Sequence, residues 1–136
     1  MVISSSIEYG GLTYGVGITA KVRSDALTGT DPWDVEAPPA PPEGLEMLFL
    51  MRGVGYLEDV RPPTLTITYH FTVRTIGVEG YVTLAWNSSS VPLKYTVFII
   101  DRYAGVMIDM RARNNYTFNL GLNAVREFEV VVCRGV

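Results

Sequence analysis

The segment Thr64 to Thr75 alternates Leu65, Ile67, Tyr69, Phe71 and Val73 with Thr64, Thr66, Thr68, His70 and Thr72. A period of two sends successive side chains to opposite faces of an extended backbone, whereas a helix repeats its apolar positions three and four apart. The segment is therefore predicted to be a strand with one apolar and one mostly threonine face, long enough to bend or to cross from one sheet to another. No helical period occurs elsewhere. Reading the rest of the chain by the same rule gives about nine strands, among them Ile3 to Tyr9, Leu12 to Thr19, Leu45 to Met51, Tyr56 to Val60, Tyr81 to Trp86, Asn115 to Leu120 and Arg126 to Cys133.

Turn chemistry separates these runs. Gly10-Gly11 tolerates the positive φ of a tight hairpin, so the first two strands are expected to pair. Pro62-Pro63 cannot donate to a ladder and marks a break. Residues 24–44 hold five of the eight prolines and no periodicity, and are predicted to form one long acidic loop. The expected fold class is all-β: a single domain over 1–136, built as an antiparallel immunoglobulin-like or jelly-roll-like β-sandwich.

Composition bounds what such a domain can meet. Hydrophobic residues are 48% of the chain and charged residues 18%, enough apolar surface for a buried core. The formal net charge is −3 and the basic residues are scattered, which argues against nucleic acid, since phosphate neutralisation needs a concentrated Lys/Arg face. No run approaches the ~20 apolar residues of a membrane-spanning helix. Sparse surface charge also lowers mutual repulsion, so self-association into an oligomer or polymer is expected to be easy. Cys133, the one cysteine, rules out an intramolecular disulfide and is expected to be a small buried hydrophobe.

Catalytic patterns are missing from the sequence. His70 is the one histidine and falls on the threonine face; no nucleophile elbow, phosphate-binding glycine loop or zinc-binding histidine pair occurs. Nucleophilic and zinc catalysis are therefore disfavoured; a pair of carboxylates assembled from distant residues stays open as an alternative, and the chain is expected not to be an enzyme. Acidic residues gather in the proline-rich loop as Asp25, Asp31, Asp34 and Glu36, a set of oxygen ligands that calcium could use, against the plainer reading of solvated carboxylates and turn formers. Glu58 and Asp59 stand beside Arg61. Trp33, Tyr56 and Tyr103 are candidate stacking platforms for a polysaccharide, while Trp86, Tyr116 and Phe118 fit core positions. Asn87-Ser88-Ser89 and Asn115-Tyr116-Thr117 permit N-glycosylation in a secretory setting.

Several short stretches taken in order carry a resemblance: Leu12-Thr13-Tyr14-Gly15, Asp34-Val35-Glu36-Ala37-Pro38-Pro39-Ala40-Pro41-Pro42, Asp59-Val60-Arg61-Pro62-Pro63, Val82-Thr83-Leu84-Ala85-Trp86, Ile108-Asp109-Met110-Arg111 and Tyr116-Thr117-Phe118. On these the chain resembles an immunoglobulin-like β-sandwich module of secreted and cell-surface prokaryotic proteins, notably substrates of the type IX secretion pathway. The resemblance implies a spacer, adhesion or assembly unit without catalysis, placed outside the cell or on its surface. Met1 to Ser6 lacks the basic start and hydrophobic middle of a signal peptide, which fits either an intracellular protein or a form whose export signal has been removed; the resemblance favours the second.

The function expected is a structural subunit that forms a filament or sheath by β-strand addition. Its assembly residues are Val2, Ile3, Ile7 and Tyr9, on an N-terminal segment that is either donated to a neighbour or is the first edge strand of its own sheet. The alternative is a carbohydrate-binding or adhesion module.

Overall fold

The computed structural model describes residues 1–22, 34–51 and 54–134. The chain is all-β, with a single 3-10 turn at Ser88–Ser90 and no α-helix among the described residues. In chain order the strands are β1 (Val2–Tyr9), β2 (Leu12–Val22), β3 (Val35–Glu36), β4 (Gly44–Met51), β5 (Val54–Arg61) and β6 (Thr66–Ile76). They continue with β7 (Gly80–Trp86), β8 (Tyr95–Asp101), β9 (Val106–Asp109), β10 (Asn115–Leu120) and β11 (Val125–Arg134). Gly10 and Gly11, with φ of 59° and 79°, make the β1/β2 hairpin, a conformation open to glycine at little cost.

Hydrogen bonding joins ten strands into one sheet in the order β10-β7-β1-β2-β5-β4-β6-β11-β8-β9, with β3 paired to β5 off this path. The sheet curls on itself. Phe118 of β10, at one end of the order, lies 5.1 Å from Phe128 of β11, seven strands along. Inward positions fall two apart as the alternation predicts: Ile67, Tyr69, Phe71, Val73 and Thr75 on β6, and Phe128, Val130 and Val132 on β11 are buried. Thr75 is tolerated inside because its hydroxyl donates to the Gly121 carbonyl at 2.6 Å.

Several expectations are corrected. Among the described residues there are eleven strands against the nine or so expected, one of them, β3, inside the proline-rich segment. Among the described residues every ladder is antiparallel except β2 with β5, which run parallel from Thr19/Glu58 to Val22/Arg61. A parallel pair needs a long crossover, and residues 23–53 provide the length. The apolar face of β6 begins at Ile67; Leu65 precedes the strand and is 73% exposed. β6 does not change sheets but stays between β4 and β11. β1 is no edge strand: β2 and β7 flank it on both sides, which the hairpin pattern alone could not reveal. Cys133 is half-buried, near the end of β11 where the strand leaves the core.

Phe49, Phe71, Phe128 and Phe118 form a continuous file through this core, with centroid spacings of 6.3, 5.2 and 5.1 Å. Phe128 is the member that joins the middle of the strand order to β10 at its end. Phe128→Ala is expected to lower unfolding free energy by about 3–5 kcal/mol, the usual cost of truncating a buried phenylalanine. Urea unfolding followed by circular dichroism measures it, and a loss under about 1 kcal/mol would mean that the file is not what closes the sheet.

Candidate functional site

Two strands end the sheet, β10 and β9. β10 is the longer, and among the described residues no strand covers its outer border. Its alternation follows from its pairing with β7. Trp86 N–H donates to the Asn114 carbonyl at 3.1 Å, and the register continues Asn115 opposite Ala85 and Thr117 opposite Thr83. Bonded and non-bonded pairs alternate in an antiparallel ladder, so Asn115, Thr117 and Asn119 turn their amides and carbonyls away from β7. Two contacts agree with this phase: Thr83 and Thr117 hydroxyls meet at 3.0 Å across the close pair, and Arg126 Nη1 reaches the Asn119 carbonyl from the outer side at 3.3 Å.

Along this border runs a cleft of about 820 Å³, bounded by Glu79, Tyr103, Tyr116, Asn119 and Arg126 among others. Its wall is held by charge. Asp101 closes β8 and caps the turn that follows, its carboxylate accepting from Ala104 N–H at 3.3 Å. Arg126 of β11 grips the same carboxylate with two bonds, Nε to Oδ1 at 3.1 Å and Nη2 to Oδ2 at 2.6 Å. The Tyr116 hydroxyl adds a third at 2.7 Å. Burial by itself would push the Asp101 carboxyl up, but the bonds from Arg126, Tyr116 and Ala104 outweigh it and hold the group below its ordinary value. The same burial and the bond to Asp101 push the Tyr116 hydroxyl up. Arg126 packs under two rings, its guanidinium 4.6 Å from the Tyr103 centroid and 4.9 Å from that of Phe118.

A second ionic cluster lies across the molecule. Asp59, fully buried, receives two bonds from Arg61 at 2.6 and 3.0 Å, and Arg61 sits 5.7 Å over the ring of Tyr69. The Tyr69 hydroxyl donates to the Lys21 carbonyl at 2.8 Å, and burial raises it well above the usual phenol range. These groups pin β5 and β6 to the end of β2.

The residues singled out from sequence are dispersed. Asp25, Asp31 and Trp33 lie outside the described residues. Asp34 accepts from the Val60 amide at 2.7 Å, which ties the loop to β5, and Glu36 is exposed on β3. No group of three or more His, Cys, Asp or Glu able to hold a metal occurs among the described residues. Tyr56 is corrected as a stacking platform: it is only 9% exposed and belongs to the core, because β5 turns that face inward. Tyr103, 84% exposed in a turn, keeps an open ring face. Ile3 and Ile7 are buried in the chain's own core, while Val2 and Tyr9 are exposed. His70 is exposed, 3.7 Å from Glu129. Sequence reading missed the Asp101–Arg126–Tyr116 network, since no local spacing links residues on three separate strands. Arg126 itself stands in a strand that also carries Glu127, Glu129 and Arg134, so nothing local marked it out.

Comparison with protein-family models, curated proteins and solved structures gives no match to this chain.

Removing Arg126 strands a buried carboxylate, so Arg126→Ala is expected to cost on the order of 3 kcal/mol. Asp101 has a folded value below its unfolded one, so its contribution is complete above the ordinary carboxyl range and fades as pH falls through the lowered value. Glu129, lowered by Arg102, adds to the same acid limb. Asp101→Asn should therefore be less stable than the parent at neutral pH, with the gap narrowing below about pH 4. Urea midpoints at neutral and acid pH decide it: a gap independent of pH contradicts the ionised assignment.

Proposed function

We propose that this chain is a non-catalytic structural subunit that associates with its own copies by strand addition along the open borders of its curled sheet. The finer arrangement proposed for that sheet is the immunoglobulin-like sandwich implied by the sequence resemblance, with its working place at a cell surface or outside the cell. The observation that carries the reading is the outer border of β10, six residues without a charged side chain or a proline. Natural sheets protect such borders with lysine, proline, bulges or a covering loop, because exposed amides and carbonyls recruit another strand. A border touched by a charge only at Asn119, where Arg126 reaches its carbonyl, is suited in a chain of low charge density to main-chain pairing with a partner.

Assembly through the borders is also less costly than donation of Met1 to Tyr9. Donation would strip β1 from both β2 and β7 and lift Ile3 and Ile7 out of the core. Each buried isoleucine is worth about 1.5–3 kcal/mol, a loss that the neighbouring copy must make good. The borders need no such opening.

A second reading has one observation in its favour. Tyr103 presents an exposed ring at a cleft that also holds Asn119, Glu79 and Arg126, an aromatic platform beside hydrogen-bonding groups of the kind that binds sugars.

Light scattering from low to high micromolar concentration, with electron microscopy of the same samples with and without calcium, tests the first reading. Mass rising with concentration and extended particles are expected. Monodisperse monomers throughout would overturn it, and glycan binding abolished by Tyr103→Ala in such a monomer would establish the second reading in its place.

A further inference from the structure

We propose that β10 pairs with β10 of a second copy, antiparallel and centred on Thr117, so that two curled sheets become continuous across a twofold axis. The inference rests on the self-association reading and goes beyond it by fixing the strand, the register and the symmetry.

Self-complementarity identifies the occupant. An antiparallel joint about Thr117 sets Thr117 against Thr117 and Asn115 against Asn119 of the other copy, at both ends. The residues whose amides and carbonyls turn outward are these same three, Asn115, Thr117 and Asn119. In this register each outward N–H of one copy faces an outward carbonyl of the other, as in a bonded antiparallel pair. A shift by one residue would oppose outward groups to inward ones and lose them all. The Asn119 carbonyl already accepts from Arg126 at 3.3 Å, but a carbonyl has a second lone pair and can take a ladder bond as well.

Side chains fit the same axis. On the outer face Asn meets Asn and Thr meets Thr, all exposed and uncharged. On the inner face Tyr116 stands opposite Phe118 of the other copy, an aromatic cross-strand pair of the kind that stabilises sheets. The β10 ladder runs without a bulge from Asn115 to Leu120, so the border is straight where the second copy would lie. The other end of the sheet is built differently. β9 has four residues, Val106–Asp109, and closes on an acidic side chain, which blunts it in the manner of a protected edge.

The twofold joint uses the same patch on both copies and therefore closes at a dimer. A longer filament needs a second, different contact. Blocking the β10 joint should then leave no dimer of this type while any other contact persists.

Paired charge substitutions test the register. Asn115→Lys with Asn119→Lys places like charges opposite one another at both ends of the joint, and is expected to weaken dimerisation about tenfold or more. Asn115→Lys with Asn119→Glu places opposite charges at the same two points, and should hold dimerisation within a few-fold of the parent while making it sensitive to salt. Analytical ultracentrifugation gives both constants, with circular dichroism confirming the β spectrum of each variant. Association unchanged by the two lysines overturns this joint but leaves self-association through another surface standing. Equal weakening by both variants overturns the register, and a parent that stays monomeric at all concentrations overturns the association reading itself. Should the charged variants fail to fold, Thr117→Cys in a Cys133→Ser background puts two thiols beside the axis. A short bis-maleimide is then expected to give a covalent dimer, and its failure to do so under conditions where the protein associates refutes the twofold joint.

Discussion

The file of rings from Phe49 through Phe71 and Phe128 to Phe118 is the contact on which the rest of the architecture depends. These side chains come from β4, β6, β11 and β10, so the file runs from the middle of the hydrogen-bonded order to one end of it. Main-chain ladders fix which strands are neighbours, but they do not decide that a ten-strand sheet should roll up. Burial of large apolar side chains does, because a flat sheet would leave one whole face in water. Tyr116, stacked at 5.9 Å on Phe118, extends the file outward to the charged pair Asp101 and Arg126. The core thus passes without a gap into the polar wall of the cleft.

That continuity explains why a buried ion pair is tolerated near the open border. Asp101 and Arg126 each have their hydrogen-bonding capacity largely met, by one another, by Tyr116, by Ala104 and by Asn119. A pair so satisfied offsets much of its desolvation cost, and its value lies more in orientation than in net stability. It fixes the distance between the end of β8 and the inner side of β10. Such a border keeps a defined shape without a neighbouring strand, which is the condition for offering it to another molecule at low entropic cost.

How far the fold could be read from sequence depended on how local its causes are. The β6 alternation and the Gly10-Gly11 hairpin were legible because each is set by neighbours within a few residues. The parallel pairing of β2 with β5 was not, since nothing in Thr19 to Val22 or Glu58 to Arg61 distinguishes a parallel from an antiparallel partner. Tyr56 illustrates the same limit at a single residue: an aromatic next to glycines reads equally well as a surface platform or a core member, and only the curl of the sheet decides. Leu65 failed in the opposite sense, carrying the alternation back beyond the residue where the strand begins. For the candidate site, the strand Asn115 to Leu120 was legible from its alternation, whereas its position at the end of the sheet was not.

The distribution of charge follows from these placements and bears directly on association. Asp59, Arg61, Asp101 and Arg126 are spent inside the molecule on pairs that hold strands together. What they leave outside is uneven. The outward positions Ser4 and Ser6 of β1, Gly15 and Gly17 of β2, Thr83 and Ala85 of β7, and Thr117 of β10 lie side by side in register and carry no charge. Over those positions the face is small and uncharged, with Glu8 and Tyr81 exposed beyond them, and such a patch offers little electrostatic resistance to a copy of itself. Along β11 and its neighbours, by contrast, Glu127, Glu129, Arg102 and Arg74 punctuate the outer surface. The proposed approach of two copies is therefore least opposed on the β10 side, where the protein has placed few of its charges.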